Sequence, residues 1–142
     1  MVDTFEDRRG RPLHPIHAIF LAGVIPLFFG ALLSDWTYSN SYQVQWTNFA
    51  SWLIAGGLVF AGFALLWAII NIIRADRPHD RGWLYLGLIS ATFIVGFFNA
   101  LVHARDAWAA MPLGLILSVI ALLLAIASNW AALSAKQPRG LQ

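Results

Sequence analysis

Between Pro15 and Ser34 the chain reads PIHAIFLAGVIPLFFGALLS, and from Ala18 to Ser34 it carries no charged residue. Few sequence features restrict a fold more. A helix of ~20 apolar residues satisfies all its own backbone polar groups and so crosses the ~30 Å of a bilayer's hydrocarbon, where open strands and loops are excluded. This run is therefore a membrane span. Just before it stands Arg11-Pro12-Leu13-His14-Pro15-Ile16-His17, which puts two histidines and two prolines where the helix enters the membrane. Proline suits a first helical turn, whose N–H groups lack partners in any case, and His14 is placed to cap it.

The rest of the 142 residues repeats this pattern. Hydrophobic residues make up 59% and charged residues 11%, and the charges cluster outside the apolar runs. That distribution marks topology and excludes nucleic-acid binding despite the net charge of +2. The chain has no cysteine, which excludes disulfides, thiolate metal sites, cysteine-ligated iron–sulfur clusters and covalently attached c-type haem. Histidine remains as the strong nitrogen ligand. The first apolar run is longer than a signal core and LLSDW offers no small-x-small cleavage site, so it reads as uncleaved. Arg8-Arg9 lacks the apolar residues that follow a twin-arginine export signal.

The spans predicted are about 15–34, 47–73, 83–102 and 111–135, after a polar tail over 1–11. Pro26 is expected to kink the first and free the carbonyl of Ala22. The stretch Asp35 to Trp46 (DWTYSNSYQVQW) has aromatic residues and no Lys or Arg, and reads as an interfacial loop. Span two is longer than a perpendicular crossing needs and should tilt or project. Its Gly57-xxx-Ala61 spacing suits close helix packing within the bundle. Arg74 to Gly82 (RADRPHDRG) is a charged turn broken by Pro78. Arg8, Arg9, Arg11, Arg74, Arg77, Arg81, Lys136 and Arg139 fall on one side of the membrane against Arg105 on the other, which places both termini in the cytoplasm. The fold expected is an all-α, integral-membrane four-helix bundle in a cytoplasmic (inner) membrane, one domain, surrounded by lipid.

Its polar residues fall into two clusters. On the cytoplasmic side are His14, His17, Asn71, Arg74, the loop around His79, and Asn129. His14 and His17, three apart, share a helical face and with one more donor would hold a metal or an anionic headgroup; alternatively they cap a helix end among the headgroups. On the outer side Asp35 ends span one, Asn48 begins span two, and Asn99, His103, Arg105 and Asp106 end span three. Asn99 and His103 stack on one face, with Asp106 three beyond. An acid beside a histidine fixes its tautomer, which suits a proton relay or a ligand with an orienting partner. The competing reading is a salt bridge from Arg105 to Asp35 or Asp106.

A b-type haem between two axial histidines is the obvious cofactor for such a bundle. His17 and His103 lie at opposite ends of their spans, roughly 30 Å apart at ~1.5 Å per residue, so one iron cannot join them. A haem would need one histidine alone, His79, or a second chain. Acidic pairs within a span, nucleophile motifs and phosphate loops are missing, so hydrolysis and group transfer find no support. Four spans without a buried charge offer a monomer little to drive ion-coupled transport.

At HPIHAIF, at LLSDW, and at LVHARDAW followed by MPLGLILS, the chain resembles the bacterial transmembrane family called domain of unknown function 2231, over roughly Leu13 to Ala135. The resemblance points to His14, Pro15, His17, Asp35, His103, Arg105 and Asp106 as motif positions. In many relatives the resemblance implies proline and methionine after the second histidine; Ala18 and Ile19 stand here, which argues against a methionine ligand at that place. The family implies a context of Rieske-type or cytochrome domains and periplasmic sugar dehydrogenases. The function expected is a non-catalytic membrane anchor or electron-transfer accessory for a periplasmic redox partner, with His14, His17, Asn99 and His103 as candidates to bind a haem or quinone and His14 and His17 as candidates to bind a metal. A small transport or ligand-binding protein with an intramembrane pocket, and a purely structural membrane protein, are the alternatives.

Overall fold

The structure, a computed structural model, describes residues 13–75 and 80–134. The tail over 1–11, Pro12, Arg77, Pro78, His79, Ala135, Lys136 and Arg139 lie outside the described residues. The described residues form α1 (Pro15–Ser41), α2 (Val44–Arg74), α3 (Asp80–His103), a single turn α4 (Ala107–Ala110) and α5 (Leu113–Ser134). The four long helices are each long and apolar enough to cross a membrane. Each packs against the next, and α5 closes back on α1. Short connections force neighbours to run antiparallel, so α1 and α3 run parallel across the bundle.

Burial explains why these helices associate. The buried positions of α1 are His17, Leu21, Val24, Phe28, Ala31, Ser34, Asp35 and Tyr38; those of α3 are Tyr85, Ile89, Thr92, Gly96, Asn99 and His103. The alternating steps of three and four are the 3.5-residue period of a left-handed, knobs-into-holes seam. Between the seams large apolar groups face outward: Trp52 is 79% exposed and Leu123 61%. In water that surface would be untenable; in lipid it is the solvated face. Lipid tails give helices no hydrophobic reason to pair, so close approach of small residues carries the association. Ala31, Ala50, Ala61, Ala64, Ala121 and Ala125 are fully buried. Gly57, as its spacing suggested, packs inside the bundle: its missing Cβ makes room for the Phe28 ring, which also packs close against Gly96.

Helix boundaries differ from expectation at three places: α2 begins at Val44, α3 begins at Asp80 and so takes in Arg81 and Gly82 that were read as turn, and α1 runs furthest past its expected end. Asp35 to Ser41, read as loop, continues α1 for nearly two more turns. Hydroxyls make this feasible: Ser34, Thr37 and Ser41 donate to the carbonyls of Gly30, Leu33 and Thr37, and Ser39 and Asn40 both donate to that of Trp36. Tyr42 then ends the helix in the left-handed region at φ 55°, and α2 begins two residues later. The helix passes through Pro26 without interruption. At the other end of the bundle Arg81 Nη1 donates to the Ser134 carbonyl at 2.6 Å, placing a cation on the last turn of α5.

Candidate functional site

Because α1 and α3 are parallel and in register, they meet through polar side chains twice, each time at an offset of 68 residues. The two contacts are separated by about five turns, ~27 Å along the axis. Between them lie Leu21, Val24, Phe28, Ala31, Ile54 and Ile89, none more than 2% exposed. Thr92, also inside, spends its hydroxyl on the carbonyl of Leu88. The bundle thus has a polar centre at each end and a dry middle.

At the near end, where α1 begins, His17 Nε2 lies 2.8 Å from the Tyr85 hydroxyl. The His17 ring stacks on Trp67 of α2 at 5.8 Å, with His14 tilted over the same indole at 4.9 Å. His14 and His17 therefore flank a tryptophan. His14, Asn71 and Arg74 are exposed, while Asn129 donates to its own helix at Ala125.

At the far end, Asp35 is fully buried and reaches two helices. Its Oδ1 lies 2.7 Å from His103 Nε2, and its Oδ2 accepts from Ser118 Oγ at 2.5 Å. Ser118 Oγ in turn accepts from Asn99 Nδ2 at 2.8 Å. His103 Nδ1 lies 2.9 Å from the backbone carbonyl of Asn99, which closes a ring of hydrogen bonds through α1, α3 and α5. Gly114 makes the ring possible, since a Cβ there would lie 2.7 Å from His103 Cε1. Asn99 Oδ1 and Thr47 Oγ1 are buried without a hydrogen-bond partner among the described residues.

Several expectations change. Asp35 and His103 do come together, and Asn99 joins them. Asp106, three residues beyond His103, does not: α3 ends at His103, so helical spacing no longer applies, and Asp106 is an exposed cap of α4. Arg105 is exposed too, and the partner of Asp35 is His103 rather than Arg105. The spans do hold a buried carboxylate, contrary to the reading that denied them one. Ser118, Gly114, Tyr85 and Trp67 had not been singled out. A serine or glycine in an apolar helix usually signals packing, and only the fold shows Ser118 facing Asp35.

Among the described residues no three His, Asp or Glu side chains gather as metal ligands. Both ring nitrogens of His103 are engaged within the bundle, so axial ligation of a haem there would have to displace Asp35 or the Asn99 carbonyl. What the far-end arrangement can do chemically is hold and exchange a proton.

No curated protein and no solved structure matches the chain significantly. The family described as "Predicted membrane protein (DUF2231)" matches residues 13–135, which take in all four spans and both polar centres, and the chain belongs to that family.

Proposed function

We propose that this chain is a non-catalytic subunit of a bacterial inner membrane, one transmembrane domain with both termini cytoplasmic, that serves a periplasmic redox partner from its far end. The functional centre in this reading is Asp35–His103–Ser118–Asn99, with the exposed Arg105 and Asp106 on the docking side. The observation that carries it is the burial of the Asp35 carboxylate. An ionisable group within membrane spans is costly, and it is retained where it pairs and works. The basic residues at the near end support the orientation, and the redox context is what the resemblance noted in the sequence implies. A transport reading gains the buried carboxylate but meets the dry middle of the bundle, which offers no polar path from one centre to the other.

The test is genetic and biochemical. In host membranes lacking this chain, sugar-driven quinone reduction should fall, and the wild-type chain should restore it. The His103→Ala form, present at equal amount in the membrane, should not. Full restoration by His103→Ala would overturn the reading.

A further inference from the structure

The far-end ring fixes how many protons it contains. A backbone carbonyl accepts and never donates, so the His103 nitrogen facing the Asn99 carbonyl, Nδ1, must carry a hydrogen. Turning the imidazole over would put carbon at both contacts, so the same two hydrogen bonds set the ring's orientation. Ser118 accepts from the Asn99 amide and uses its own hydrogen on Asp35 Oδ2. That leaves Nε2 and Asp35 Oδ1 facing each other at 2.7 Å. With neutral imidazole protonated at Nδ1 and an ionised carboxylate, both atoms would be lone-pair acceptors at contact distance. A proton must lie between them.

We propose that Asp35 and His103 form a single-proton binding site: the pair holds one proton, as imidazolium–carboxylate or as imidazole–carboxylic acid, inside a ring where the His103 Nδ1 hydrogen and the Ser118 hydroxyl hydrogen are already committed. Charge leads to the same count. Both side chains have no exposed surface. Without the proton they would bury a net negative charge among apolar helices; with it the pair is neutral. The ligand is the proton itself. His103 is the last residue of α3, next to the exposed turn at Ala104, Arg105 and Asp106, so exchange is with the far face. The other titratable or charged groups at this end are Tyr38 and Tyr42 on α1 and Arg105 and Asp106 after α3; the ends of α2 and α5 bring none. Oxidation of a hydroxyl donor to a carbonyl releases two protons and two electrons, the electrons passing to a quinone acceptor, and this is the class of reaction that a one-proton site at that face would serve. That last link rests on the proposed function; the proton count does not.

Nuclear magnetic resonance of ¹⁵N-histidine-labelled protein in lipid nanodiscs at pH 7, with His103 assigned by its loss in His103→Gln, reads the count. Nδ1 should carry a hydrogen. Either Nε2 should carry one as well, or the infrared difference between wild type and Asp35→Asn should show a protonated carboxyl. In Asp35→Asn the new amide donates to Nε2 and its oxygen accepts from Ser118, so the ring persists without the extra proton. His103 should then be the neutral Nδ1–H form in a folded protein. A bare Nδ1 in wild type, or a bare Nε2 beside an ionised Asp35, overturns the proposal. Neither readout involves a partner, so failure of the quinone-reduction test would leave this one standing, and the reverse.

Discussion

The two polar centres have the same architecture and opposite chemistry. Each joins α1 to α3 at the same offset, and each places a histidine at one end of a dry core. At the near end the histidine meets a phenol. His17 Nε2 and the Tyr85 hydroxyl can form this hydrogen bond in either tautomer, with the indole of Trp67 covering the ring. At the far end the histidine meets a carboxylate that is also held by Ser118, and the ring is complete only with an added proton. The near end is a hydrogen bond that packing protects; the far end is a shared proton, and removing either partner leaves the other buried and unmatched.

That contrast makes graded predictions for stability in bilayers or mild detergent. The largest effect belongs to Asp35→Ala, which leaves His103 Nε2 and Ser118 Oγ buried without their partner. Breaking a buried pair from one side costs about 3–5 kcal/mol, read as a lowered midpoint in denaturant titration. Tyr85→Phe removes a single neutral hydrogen bond and keeps the ring. In membranes such bonds average about 0.6 kcal/mol, so the shift should be small. A Tyr85→Phe loss as large as that of Asp35→Ala would erase the distinction between the ends. The smallest effect is expected for Arg105→Ala, whose side chain is exposed: within about 0.5 kcal/mol. A larger loss would mean that Arg105 belongs to the far-end network after all.

The contrast also shows which parts of the molecule were legible in the sequence. The four spans were, because lipid demands long apolar runs and the chain has them. The assignment of Asp35 and His103 to one end followed from topology. The partner of His103 was not legible from local spacing: Asp106 stood three residues on, but the helix stops at His103 and the contact is made by a residue 68 positions earlier. The extension of α1 to Ser41 was hidden because DWTYSNS has no apolar pattern. Its helix is held instead by hydroxyls turned back onto their own backbone. Ser118 and Gly114 look like ordinary small residues of a packed helix, and their role depends on what α1 and α3 place opposite them.

The account's central claim is that the far-end pair is coupled through a shared buried proton and the near-end pair through a single hydrogen bond. Two double-mutant cycles in the same lipid test it directly, one on Asp35→Ala with His103→Ala and one on Tyr85→Phe with His17→Ala. The predicted coupling energies are about 3 kcal/mol at the far end and about 0.6 kcal/mol at the near end. Equal couplings at the two ends, or the larger value at His17 and Tyr85, would contradict it.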